Sequence, residues 1–378
     1  MKVALVHDYL TKLGGAERVL KIFSDLYPEA PIFTLLYDKK KCGQMFDEKR
    51  IRPSILQSLP SFLRKRPKYL LPLIPRVIEM FDFTGYDLVL SSSNSFSHGI
   101  LMPLGTKHVC YCHSPMRFAW DWSHEYIEEQ GVGSLRRLSI AWMMKHVRMW
   151  EQIVADRADF YIANSKTVQK RIQKYYRMPS QIIYPGVDVA RFRPQKHHEN
   201  FFLLISTLTP YKKIDLAIRL FNKTGKHLII VGEGNQRSAL ERMAGKNIEF
   251  TGFKPDHVVT EYLENCRALI FPGEEDFGIV PVEAMACGKP ILALGRGGVT
   301  ETVLPGITGE FFHESTIDSM EDGLARLLLH EKNYDADSIS KHAQRFSIPR
   351  FEKEIQASIE TFCASYSSHT AFAIKGNL

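Results

Sequence analysis

Short apolar runs, each bounded by glycine, proline or polar clusters, recur along this chain at intervals filled by helical periodicity. In the first half Lys2 to His7, Tyr86 to Ser93, Lys107 to Cys112 and Phe160 to Ala163 read as strands. In the second half Phe201 to Ser206, His227 to Val231, Ile248 to Phe250, Ala268 to Phe271 and Ile291 to Leu294 do the same. Near-continuous Val, Ile and Leu in such runs points to strands buried on both faces, and their alternation with helix-length stretches predicts an α/β protein with parallel sheets. The helical stretches include a long one from Leu138 to Arg157, one from Lys166 to Tyr175 behind Ser165 as N-cap, and one from Ile214 to Phe221.

The densest local pattern is Gly273 to Pro290, GEEDFGIVPVEAMACGKP, between the runs 268–271 and 291–294. Pro281 suits a first helical turn, Gly288 a left-handed stop, and Pro290 prevents continuation. The unit is strand, acidic loop, short helix, strand. Around Gly278, Ile279 and Val280 the amides of the helix start have no intrahelical partner and, with the helix dipole, form a place suited to a phosphate. Glu275 and Glu283 flank it, and carboxylates there can accept hydrogen bonds from sugar or ribose hydroxyls. The alternative is structural, with Glu283 a helix cap and Glu275 a solvated loop charge.

The full string resembles the signature of the retaining family 4 glycosyltransferases of GT-B fold. In that family E-x-F-G-[I/L]-x-x-x-E is followed by A-x-A-x-G-x-P, here Glu275-Asp276-Phe277-Gly278-Ile279 to Glu283 and then Ala284 to Pro290. The resemblance covers nearly the whole chain and is clearest over 201–312. It implies two Rossmann-like doubly wound domains facing across a cleft, an acceptor domain at 1–185 and a nucleotide-sugar domain at 196–349. A last helix, about 350–366, is expected to pack back on the first domain. Gln195 to Asn200 reads as the linker, and 367–378 as a loose tail. The implied roles are Glu275 on the donor sugar, Glu283 on the ribose and His113, at the family's H-x-P position, on the transferred sugar. Lys212 matches the phosphate lysine, and the glycine loop at Gly14 and Gly15 reaches toward the diphosphate. Gly232 and Phe253 match the strand exits that flank the base. The family usually has an arginine five residues before its lysine; this chain has Thr207, one phosphate cation fewer, for which Lys213 can compensate. The resemblance also implies front-side attack, with the phosphate itself taking the acceptor proton and no metal or other cofactor. The strings Glu275 to Glu283 and His113 to Trp122 look most like bacterial O-antigen mannosyltransferases, which suggests GDP-mannose as donor and a lipid-linked saccharide acceptor. Met116 to Trp122 is rich in aromatics and reads equally as a platform for stacking on that acceptor or as a packed loop.

Size and composition fit this picture. The 378 residues suit two domains, with 44% hydrophobic and 24% charged residues and no repeat. Cysteines at 42, 110, 112, 266, 287 and 363 form neither a metal-ligand nor a disulfide pattern and read as reduced and structural. The first residues are too briefly apolar for a signal peptide and no run is long enough to span a bilayer, so the expected location is cytoplasmic. The net charge of +7 divides unevenly: 27 Lys/Arg against 17 Asp/Glu in residues 1–185, and 22 against 25 thereafter. From Lys49 to Arg76 eight cations, including Lys68, meet no acidic residue and alternate with leucine and aromatic side chains. Such a segment suits an anionic membrane surface at the inner face of the cytoplasmic membrane rather than nucleic acid, although its prolines exclude one long amphipathic helix. Two other function classes share the fold: a nucleotide-sugar 2-epimerase, which needs further carboxylates, and a catalytically silent scaffold, for which Thr207 speaks.

Overall fold

The computed structural model describes residues 1–66, 69–123, 127 and 133–375 and divides into two units. One comprises Met1–Pro185 with Phe351–Leu378, the other Gly186–Arg350. Each is built on an all-parallel sheet, as the unbroken apolar runs require.

The first sheet has seven strands in the order β3-β2-β1-β4-β5-β6-β7. They are β1 (Val3–Leu10), β2 (Ile32–Tyr37), β3 (Ile51–Pro53), β4 (Leu88–Ser93), β5 (Lys107–Cys112), β6 (Phe160–Ala163) and β7 (Gln181–Ile182). Helix α1 (Gly15–Leu26) follows β1 and buries Val19, Leu20, Ile22 and Phe23 along one face. Helix α2 (Ser134–Val154) precedes β6, and α3 (Lys166–Arg171) follows it behind a Ser165 cap whose hydroxyl accepts from the Val168 amide at 3.1 Å. The expected helix to Tyr175 is α-helical only to Arg171. It widens into a π-turn over Ile172–Tyr176, which points Tyr175 and Tyr176 toward the loop after β5.

The second sheet runs β10-β9-β8-β11-β12-β13, with β8 (Phe202–Ile205), β9 (Leu228–Val231), β10 (Ile248–Gly252), β11 (Ala268–Phe271), β12 (Ile291–Leu294) and β13 (Gly309–Phe312). Helix α4 (Ile214–Thr224) follows β8 and α5 (Ile279–Ala286) follows β11. The core between sheet and helices includes Phe202, Leu204, Ile218, Phe221, Ile230, Ile270 and Phe312. The final helix α6 (Ile348–Lys375) brings Phe351 against Phe23 and Tyr111 of the first unit at ring separations of 5.8 and 5.6 Å, and Phe362 against Phe160 at 5.1 Å.

Two expectations change. Gln195 to Asn200 is no free linker: the Gln195 amide donates to the Cys287 carbonyl at 3.0 Å and the Glu199 amide to Asn265 at 2.8 Å. The cause is Lys289, buried at 2% exposure, whose ammonium needs acceptors and finds the carbonyls of His197 at 2.9 Å and Gln195 at 3.3 Å. The supposed tail continues α6 as far as Lys375, and its last residues, 376–378, lie outside the described residues, as do Pro67 and Lys68.

Candidate active site

In both sheets the order reverses at one point, between β1 and β4 in the first and between β8 and β11 in the second. Loops leaving the carboxyl ends of such neighbouring strands diverge to opposite faces and open a crevice for ligands. The candidate residues collect at these two places.

In the second unit Lys212 leaves β8 and Glu275 leaves β11, and their side chains form a direct ion pair across the switch point. The strand exits touch here: a Cβ on Gly273 would lie 2.9 Å from the Lys212 Cα, so only glycine permits the approach. Lys213, with φ of 52°, turns the chain into α4. The acidic loop is held from behind. The Gly298 amide donates to the Glu275 carbonyl at 2.8 Å, and a Cβ on Gly298 would overlap the Asp276 carbonyl oxygen and the Phe277 Cα. Phe277 is buried against Phe346 with rings 5.6 Å apart. Gly278, at φ of +88°, caps α5 with no side chain bonded to its first amides, so Ile279 and Val280 present N–H groups beside Glu275. Glu283 lies one turn further in, 4% exposed, its carboxylate held by Arg191 at 2.7 Å, and Arg191 also reaches Asp256 at 3.0 Å. Gly232 ends β9, and its amide donates to the Gly252 carbonyl at 2.9 Å. Thr207 is exposed on the loop after β8. Phe253, just past β10, is 78% exposed, a large apolar side chain left open at the same edge of the sheet.

In the first unit the Gly14 amide, at the start of α1, donates to the Glu17 carboxylate at 2.9 Å. The other Glu17 oxygen faces His7 at 3.7 Å. Burial works against the Glu17 charge, yet His7 and the helix amide hold its carboxyl below the usual range. His113 follows β5, buried, with Nε2 on the Ser92 hydroxyl at 2.8 Å and its carbonyl accepting from Asn164 at 3.0 Å. Burial, with the nearby charge of His7, lowers its pKa to about 3, so the ring is neutral.

Comparisons with known proteins bear on the fold and on the enzyme class. Residues 13–191 match the family described as Glycosyltransferase Family 4, and residues 188–346 match Glycosyl transferases group 1. Both matches are to glycosyltransferase families, one on each half of the chain, and the fold is GT-B. An uncharacterized glycosyltransferase of Methanocaldococcus jannaschii is 27% identical over 46% of this chain and 51% of its own. The chain thus spans about half the length of the first curated relatives it matches. The α-1,3/1,6-mannosyltransferase Alg2 of Schizosaccharomyces pombe is 24% identical over 96% of this chain and 82% of its own. The crystal structure of Anabaena HepE in complex with UDP-glucose superposes with a TM-score of 0.68 at 18% identity, covering 96% of this chain and all of the other.

For a GT-B chain the first unit holds one surprise. The loop Met116 to Trp122, open in the sequence to either an acceptor platform or packing, turns several of its side chains inward. Glu151 of α2, fully buried, accepts from the Met116 amide at 3.1 Å, the Trp120 indole at 2.6 Å and the Tyr176 hydroxyl at 2.6 Å. Burial pushes its carboxyl up to about 7. Trp120 stacks on Tyr175 at 4.6 Å, Tyr175 bonds Asp121, and Arg171 meets Asp121 at 2.5 Å. A second buried carboxylate, Asp8 in β1, accepts four backbone amides, those of Asn94 to Ser97, at 2.6 to 2.9 Å. An acidic residue inside an apolar strand was the available sequence signal for Asp8; a lone Glu in an otherwise basic helix was the one for Glu151. Among the described residues no three His, Cys, Asp or Glu side chains gather as a metal site would.

Proposed function

We propose that the chain is a retaining glycosyltransferase that moves a hexose, with mannose from GDP-mannose favoured, onto a lipid-linked or saccharide acceptor of a cell-surface polysaccharide. The observation that carries this reading is the Lys212–Glu275 pair beside the uncapped start of α5 at the β8/β11 switch point. Without ligand the two charges neutralise each other. A bound diphosphate would draw the ammonium to its oxygens and accept the amides of Ile279 and Val280, leaving the Glu275 carboxylate to accept from sugar hydroxyls. As the bond from the sugar's anomeric carbon to the diphosphate breaks, these donors stabilise the charge on the leaving oxygen. The acceptor oxygen attacks on the same face and its proton passes to that leaving oxygen, so no protein base is consumed. Similarity to Alg2 mannosyltransferase over 96% of this chain supports mannose; HepE, solved with UDP-glucose, makes UDP-glucose the competing donor.

The test follows nucleoside diphosphate release from GDP-mannose and a panel of UDP-sugars, with and without a membrane lipid extract. Transfer should fall about 100-fold or more in Lys212→Ala and in Glu275→Ala, with the fold intact. Near-normal rates would refute the site; epimerised donor without transfer would favour the epimerase, and no turnover with any donor the silent scaffold.

An anionic membrane surface is the partner that the first unit's exterior fits. The described residues of 49–76 form β3 and a series of short turns; Leu56, Leu70, Leu71 and Ile74 are core, while Ile55, Phe62, Tyr69 and Leu73 are exposed among Arg52, Arg64, Lys65 and Arg66. Helix α2 adds a stripe of exposed Leu138, Trp142, Met149 and Ile153 at helical spacing, near exposed Arg136, Arg137 and Lys145, and its lone acid, Glu151, is buried. No described helix is long and apolar enough to cross a membrane. Vesicles of phosphatidylglycerol should capture the protein, vesicles of phosphatidylcholine alone should not, and salt should weaken capture.

A further inference from the structure

At the β1/β4 switch point a row of polar groups runs across three neighbouring strands: Glu17 of α1, His7 of β1, Ser92 of β4 and His113 after β5. All four are buried, at 4%, 1%, 0% and 7% exposure. His7 Nδ1 lies 3.0 Å from the Ser92 carbonyl and 3.1 Å from the Ser92 hydroxyl, and that hydroxyl lies 2.8 Å from His113 Nε2. The positions of the protons follow from what each atom can accept.

A carbonyl oxygen only accepts, so His7 Nδ1 must carry a proton and donate, whatever the state of its Nε2 beside Glu17. Ser92 Oγ then cannot donate to His7. Its other neighbour is His113 Nε2, and in a site with no solvent exposure a hydroxyl proton left without an acceptor is costly. The Ser92 hydroxyl therefore donates to His113 Nε2, which must be the unprotonated nitrogen. The ring is neutral, so its single proton sits on Nδ1. That nitrogen has no hydrogen-bond partner among the described residues.

We propose that Ser92 and His7 are positioning residues that lock His113 in the neutral Nδ1–H tautomer, so that it presents one hydrogen-bond donor to an oxygen of the bound sugar. Glu17 anchors the row at its far end and, through the Gly14 amide, ties it to the glycine loop. The row is then more than packing, because it decides whether His113 offers a donor or an acceptor. The contact with sugar rests on the transferase reading; the tautomer does not.

The deciding measurement is long-range proton–nitrogen correlation NMR of the selectively histidine-labelled full chain without ligand. His113 should show a protonated-type Nδ1 and an unprotonated-type Nε2, unchanged from pH 6 to pH 8. In Ser92→Ala, checked for folding by its thermal melt, the preference should be lost and His113 should show averaged or reversed nitrogen shifts. Ser92→Thr keeps the hydroxyl and, if it folds, should restore the wild-type pattern. A protonated Nε2 in the wild-type protein, or an unaltered His113 in Ser92→Ala, would overturn the proposal. With a working transfer assay, Ser92→Ala should also lower kcat about tenfold with little change in donor KM. An intact tautomer with no transfer would count against the function and leave the row standing.

Discussion

Lowering the pH should unfold the first unit before the second, with Glu151 opposing the effect. His98, His108 and His113 are buried there, and desolvation lowers their pKa values from 6.5 to about 3, 4 and 3. The folded state keeps these rings neutral while the unfolded chain protonates them below 6.5, so their stabilising contribution is lost as pH falls. From pH 7.5 to pH 5 each withdraws about 2 kcal/mol, or about 6 kcal/mol together. Glu151 has the opposite sign. Its carboxyl is raised from 4.5 to about 7, so burying its charge costs stability at high pH and that cost is relieved as the group protonates. Over the same interval it returns about 2 kcal/mol, leaving a net loss of about 4 kcal/mol. Glu17, held below 4.5, acts only below this window. Glu151→Gln removes the compensation, so the variant should lose about 6 kcal/mol between pH 7.5 and pH 5. All four tryptophans, 120, 122, 142 and 150, lie in the first unit, so urea unfolding followed by tryptophan emission reads this unit alone. A Glu151→Gln protein no more acid-sensitive than wild type would refute the assignment of a buried, proton-holding Glu151.

Other expectations are as direct. Asp8→Ala leaves four buried amides without their acceptor and should destabilise the first unit by about 3 to 5 kcal/mol in the same fluorescence assay; a loss under about 1 kcal/mol would mean that water replaces the carboxylate. Gly298→Ala must push the acidic loop away from its seat, so transfer should drop by about 100-fold while tryptophan emission stays unchanged. Trp142→Ser should reduce capture by phosphatidylglycerol vesicles without altering the melt, and unchanged capture would remove α2 from the docking surface.

What could be read from the sequence was whatever is written locally. The apolar runs gave the strands because a parallel sheet buries both faces, and Gly273 to Pro290 carried its own loop, helix start and stop within eighteen residues. Lys212 and Glu275 are 63 residues apart, and the family resemblance, which matches one to a phosphate lysine and the other to a sugar-facing glutamate, is what related them in the sequence. Asp8 and the amides of 94–97 are separated by 86 to 89 residues, His7 and Ser92 by 85, and Arg191 and Glu283 by 92. No periodicity relates such pairs, and only the strand order makes them neighbours. The aromatic loop stayed open between two readings for a related reason. Trp120 looked available because nothing near it in sequence binds an indole, while its partner, Glu151, lies 31 residues on in a helix whose other charges are all basic.

Those long-range pairs share a place. Asp8, His7, Ser92 and His113 lie at the carboxyl ends of β1, β4 and β5, and the loops fastened by Asp8 and Glu151 leave from the same edge. Parallel strands end their ladders there with amides pointing outward, and the polar groups that satisfy them must be buried beneath the loops they hold. Buried acids and histidines are expensive, and a sheet with apolar strand ends would be simpler to fold. Most of them lie at the edge where ligands bind in this architecture, while His108 is buried at the opposite end of β5, and that bias argues that rigidity of the loops is what they supply. Replacing Asp8 and Glu151 with apolar residues would be expected to loosen the hold on Met116 to Trp122 and on the turn after β4, and with them any fixed orientation of His113.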